Sequence, residues 1–166
     1  MHCSGRAAEC GVSFQKGSGM IEIFFSYAHE DEQLMDEVRR QMIVYEQEGY
    51  LLKWYDRMIP PGDQWKGTID DRLRDAKVIL LFLSPHFIDS RYCYEIEGQE
   101  ALKRSASGEA VVIPVILRPC AWTASPYGEL QALPTDGKPI STWDNIDIAS
   151  LEVAESIFEK IKQIES

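Results

Sequence analysis

An α/β fold, a parallel sheet with helices on both faces, is predicted by three observations. Residues 78 to 83, VILLFL, are six consecutive apolar positions, the pattern of a central parallel strand covered on both sides. Strand-like and helix-like segments alternate about five times, which implies right-handed crossovers. The chain has 166 residues of which 45% are hydrophobic, enough for one domain with a sizeable core.

Residues 1 to 19, MHCSGRAAECGVSFQKGSG, have no helical or strand period and end in Gly-Ser-Gly, so they read as a flexible leader or expression remnant. The domain is expected over 20–166. Ile21 to Phe25 is the first strand, breaking at Ser26-Tyr27-Ala28-His29. Leu34, Val38, Met42 and Tyr45 recur at helical spacing, behind an acidic cluster that suits a helix N-terminus and ahead of Gly49, which suits its end. That predicts a helix from about 31 to 48.

Leu51 to Tyr55 reads as the second strand, and Asp56 to Asp63, with Pro60-Pro61-Gly62, as a loop. Ile69, Leu73 and Ala76 mark the next helix, followed by the apolar strand and a helix from about 90 to 105. Val111 to Leu117 is a further strand in which Pro114 lacks a donor, predicting a bulge or a locally unpaired position. Lys138 to Thr142 is expected as a short fifth strand, and Leu151, Ala154, Ile157, Phe158 and Ile161 give a last helix its apolar face. The simplest arrangement is a flavodoxin-like three-layer sandwich on a five-stranded parallel sheet.

The formal charge of −10, from 27 acidic and 17 basic residues, gives no electrostatic drive toward nucleic acid. Cys3, Cys10, Cys93 and Cys120 lack zinc-site spacing and disulfide-scaffold density, which fits a reducing, cytoplasmic setting. Apolar runs fall short of the roughly 18 residues that span a membrane, so no membrane partner is expected. His29 and His86 lie far apart without ligand partners at metal spacing, so no metal is predicted.

In parallel sheets of this kind ligands bind just past the strand carboxyl ends, which directs attention to Ser84 onward and to Glu97 on the following helix. Glu95 is the rival acid. Two residues on a helix are about 200° apart, so only one of the pair faces inward, and Glu97 shares a stripe with Tyr94 and Ala101.

FFSYAHED after the first strand, WYDRMIPPGDQW, ILLFLSPHFIDSRYCYEIE and VIPVILRPCAW with LPTDGKPISTW together resemble a bacterial TIR (Toll/interleukin-1 receptor) domain, over about residues 20 to 164. The resemblance implies a five-stranded flavodoxin-like fold and two activities, cleavage of NAD+ at its nicotinamide glycosidic bond and self-assembly with other TIR domains into a homo-oligomer or filament. It puts the catalytic glutamate at Glu97. Enzymatic relatives often carry tryptophan four residues earlier, where this chain has Cys93 between Tyr92 and Tyr94. A role in antiphage defence follows from the same resemblance.

One carboxylate is chemically sufficient for this cleavage, since nicotinamide leaves a pyridinium as a neutral amine, and no cofactor is needed beyond NAD+ as substrate. Glu97 can act electrostatically, by binding the ribose hydroxyls or as a nucleophile. Phe24, Tyr27 and Trp54 or Trp65 are candidate ring faces for the substrate, Ser26 and Cys93 flank the site, and Arg57 beside Asp56 is a candidate for the diphosphate. Two other readings are a non-catalytic TIR interaction module, with assembly surfaces at 56–65 and 118–127, and a nucleoside deoxyribosyltransferase-like enzyme.

Overall fold

A computed structural model describes residues 21–50, 52–56 and 71–165. Four parallel strands, β1 (Ile21–Ser26), β2 (Leu52–Asp56), β3 (Val78–Leu83) and β4 (Val111–Ile116), form a sheet in the order β2-β1-β3-β4. This is the flavodoxin-like order, with β3 central and buried at all six positions, as its unbroken apolar sequence requires. Between the strands lie α1 (Glu32–Gln47), α2 (Asp71–Asp75), α3 (Pro85–Asp89) and α4 (Gly98–Ala106), and α5 (Ile146–Glu165) follows β4.

Strand alternation divides the core in two. Ile23, Phe25, Leu80, Phe82 and Val115 pack on one face with Val38, Met42, Val153 and Ile157 of α1 and α5. Phe24, Ile79, Leu81 and Ile116 pack on the other with Leu73, Phe87 and Ala101 from α2, α3 and α4. Burying a side chain of this size contributes about 1.5–3 kcal/mol, so both clusters are needed to hold the sheet between its helices. Gly49 follows α1 at φ 99°, a left-handed conformation that glycine adopts without a Cβ penalty, and stops the helix where expected.

Three expectations are corrected. The sheet has four strands among the described residues rather than five. Over 138–142 the chain makes a 3-10 turn, Ile140–Thr142, and the place beside β4 is held by a single bridge between Val115 and Leu133. Pro139, inside the expected strand, has no N–H to give to such a ladder. Of the two alternatives expected at Pro114 the bulge is absent, since the residue sits in β4 opposite Leu81 in unbroken register, and the locally unpaired position is what remains. The Val111 and Leu117 amides donate to Lys77 and Leu83, so by alternation the Pro114 nitrogen faces the outer edge, where a missing donor costs little. Finally, the helix expected over 90–105 is present but not uniform: it opens with a π-helical turn, Tyr92–Glu97, that runs directly into α4, and the short α3 precedes it.

Candidate active site

The strand ends deliver two serines to the rim of the sheet. Ser26 closes β1 on the same face as Phe24, two residues earlier, and its side chain is fully buried. Glu97 arrives from the turn after α3 and is equally buried. The Ser26 hydroxyl donates to Glu97 Oε1 at 2.6 Å, a charge-assisted bond across 71 residues of sequence. Thus a carboxylate is held where a parallel sheet presents its ligand site.

The segment that carries Glu97 is a π-helical turn, in which the Gly98 N–H reaches back five residues to the Cys93 carbonyl. Such turns recur at functional sites because they re-aim the side chains that follow. Cys93 is buried in the same cluster as Phe24, with Tyr94 packed half-buried beside it. Glu95 is exposed and bridges to Arg91 at 3.5 Å, which settles the rivalry of the two acids: only Glu97 points inward.

The structure separates the remaining candidates. Phe24, Ser26 and Cys93 share the Glu97 face. Tyr27 and Trp54 belong to the opposite core, with Trp54 edge-on to Phe25 at 5.8 Å and its indole N–H donating to Glu46 at 3.0 Å. Register explains this, because Ile23 pairs with Trp54 and Phe24 with Tyr55, so Tyr55 is the β2 aromatic on the Phe24 side. Cations flank the Tyr55 ring, Arg72 at 4.8 Å and Lys53 at 5.6 Å. Arg57, Trp65 and the Asp56 side chain lie outside the described residues, as does the leader.

A second cluster beside the first escaped sequence reasoning. Asp31, in the 3-10 turn His29–Asp31 and fully buried, accepts from the Ser84 hydroxyl through Oδ2 and from Arg118 Nε at 2.8 Å through Oδ1. Ser84 also caps α3, its Oγ accepting the Phe87 N–H at 3.0 Å. These groups tie together the ends of β1, β3 and β4. The sequence directed attention to Ser84 onward but not to this cluster, because the acid and its arginine are 87 residues apart. Burial pushes the nearby Cys120 thiol up, with a smaller upward push from Asp31, against a downward pull from its hydrogen bond to the Trp122 backbone.

Glu97 lines neither of two surface cavities, about 460 Å³ beside Val112, Leu133 and Lys160 and about 330 Å³ beside Phe25, Arg39 and Trp54. Among the described residues there is no group of three or more His, Cys, Asp or Glu able to hold a metal ion, and no helix long and apolar enough to cross a membrane.

A family profile described as TIR domain matches residues 23–152. The chain is 46% identical over 140 residues to the uncharacterized protein y4lF of Sinorhizobium fredii (strain NBRC 101917 / NGR234), an alignment covering 84% of this chain and 43% of that protein. The chain thus spans less than half the length of the curated relative it matches. The TIR domain of the Toll-related receptor TRR-2 from Hydra magnipapillata is similar with a TM-score of 0.49 and 19% identity, over 84% of this chain and 97% of that one.

Proposed function

The chain belongs to the TIR domain family, and from that premise we propose that it is an NAD+ hydrolase with Glu97 as its catalytic carboxylate. One observation carries the reading: a fully buried glutamate at the carboxyl end of the sheet, oriented at 2.6 Å by the Ser26 hydroxyl. Acidic side chains are seldom fully buried, and those that are, in a cleft at a strand end, are candidates for function.

In the reaction, the bond between ribose C1′ and the pyridinium nitrogen breaks with its electron pair going to nitrogen. Nicotinamide leaves neutral, so no general acid is required. Positive charge builds on the ribose, where the Glu97 carboxylate stabilises it and positions the sugar hydroxyls. Water then adds to C1′ and sheds a proton to give ADP-ribose, or a nitrogen of the substrate's own adenine attacks to give a cyclic isomer. Ser26 keeps the carboxylate in one orientation, and Phe24, Tyr55 and Tyr94 are among the aromatic groups on the same side of the sheet.

Glu97 has no exposed surface, so substrate reaches it only after its surroundings open. We assign that opening to contact between TIR domains in a cytoplasmic assembly acting in antiphage immunity. The second reading, a non-catalytic interaction module, draws on the same burial, with Glu97 as a structural tie between β1 and the helix.

Incubating concentrated protein and its Glu97→Ala variant with NAD+, with and without tethering, and following nicotinamide by chromatography separates the two. Release by wild type alone is expected. Silence from both under every assembly condition would leave the interaction module.

A further inference from the structure

We propose that Tyr127 is a positioning residue for Glu97, acting through the π-helical turn; the inference rests on reading Glu97 as the catalytic carboxylate. In an α-helix the Gly98 amide would donate to the Tyr94 carbonyl four residues back. Here that amide donates to Cys93 instead, and the Tyr94 carbonyl accepts the Tyr127 hydroxyl at 2.7 Å. A side chain 33 residues away thus occupies the acceptor on which an α-helical ladder would close.

The hydroxyl is held rigidly. Tyr127 has no exposed surface, and its ring stands edge-on to Tyr94 at 5.5 Å and to Phe87 at 6.0 Å. Its own backbone is fixed by Ser125, which accepts the Tyr127 N–H at 3.2 Å and donates to the Trp122 carbonyl at 2.5 Å. Gly98 provides the space. A Cβ at that position would lie 1.8 Å from Tyr127 Oη and 2.7 Å from Cζ, so any side chain there would evict the tyrosine.

The consequence falls on the next residue. A π-helical turn takes in one extra residue, and on a helix one residue is about 100° of rotation. Glu97 is the last residue of the turn, so return to an α-helical ladder would swing its carboxylate away from Ser26. Tyr127 belongs to the segment after β4, which therefore has a direct mechanical hold on the proposed catalytic acid without touching substrate.

The test is Tyr127→Phe in the full chain, which keeps the ring and removes only the donor. The expected crystal structure has Gly98 N–H bonded to Tyr94 and Glu97 off Ser26. The expected kinetics show kcat for nicotinamide release down about tenfold or more with KM for NAD+ within about twofold, at a temperature where circular dichroism shows the variant as fully folded as wild type, so that the fall is not a loss of active molecules. An intact π-helical turn in the variant, or unchanged kcat, overturns the proposal. If wild type releases no nicotinamide, the reading of Glu97 as catalytic fails, while the crystallographic outcome still decides whether Tyr127 sets its direction. Should the variant not fold, NMR of the wild type decides: a Tyr127 hydroxyl proton protected from exchange, with a contact to Gly98, supports the inference, and a freely exchanging one overturns it.

Discussion

Two buried carboxylates lie at the rim of the sheet, each accepting a serine hydroxyl, and they differ in their surroundings. Asp31 has a guanidinium at 2.8 Å and a place in a short turn that links three strand ends. Glu97 is met by the neutral Ser26 hydroxyl and sits on a helical turn of non-standard pitch. A buried acid neutralised by arginine is a structural tie whose charge is compensated in place. An acid on a re-aimed turn beside a strand-end ligand position is arranged for something that arrives later. On the proposed function, groups with the same chemistry divide into one that holds the fold and one offered for catalysis.

The sharpest way to break this contrast is Glu97→Gln, which keeps size and a hydrogen-bonding group. We expect nicotinamide release to fall by about 10²–10³-fold, the range for losing a main electrostatic stabiliser, with the urea midpoint of unfolding unchanged or raised. Lost stability with retained turnover would reverse the assignment of the two acids.

Arg118→Ala tests the other member and should act on stability, leaving Asp31 buried without its cation. A cost of about 2 kcal/mol is expected by urea unfolding, less than for a fully buried pair because Arg118 is 40% exposed. Asp31→Asn in the same background should recover part of it, since the variant no longer strands a charge. No recovery would mean that the arginine contributes packing rather than charge.

Ser26→Ala removes one donor from Glu97 while leaving the acid in place. A fall of about tenfold in kcat, near 1.4 kcal/mol, is expected in the NAD+ assay, well short of the Glu97 effect. The smallest effect concerns Cys120. Its raised pKa leaves less thiolate at pH 8 than a solvated cysteine has, so iodoacetamide should modify it slowly. Because burial is the larger cause and Asp31 a minor one, Asp31→Asn should lower the pKa slightly and speed alkylation by under about threefold, read by peptide mass spectrometry.

Local pattern was enough wherever one residue's fate depended on its near neighbours. The run VILLFL can only be a strand buried on both faces, and the period of Leu34, Val38 and Met42 can only be a helix laid on a sheet, because apolar surface must leave water on the face where it recurs. The order β2-β1-β3-β4 is the simplest one that right-handed crossovers allow. Those elements place Glu97 at a strand end and leave Glu95 outside.

Tertiary structure decided the rest, since it depends on partners that are remote in the chain. Whether Trp54 or Tyr55 faces Glu97 is a matter of strand register, which one residue of slip would invert. Among the described residues no fifth strand forms: only Leu133 bridges to β4, and Pro139 has no amide to offer that edge. The π-helical turn exists where Tyr127 supplies a donor and Gly98 the room, and Asp31 becomes a tie only once Ser84 and Arg118 reach it. Periodicity encodes which face a side chain takes, whereas hydrogen bonds across 33 to 87 residues come into being only when packing has brought their ends together.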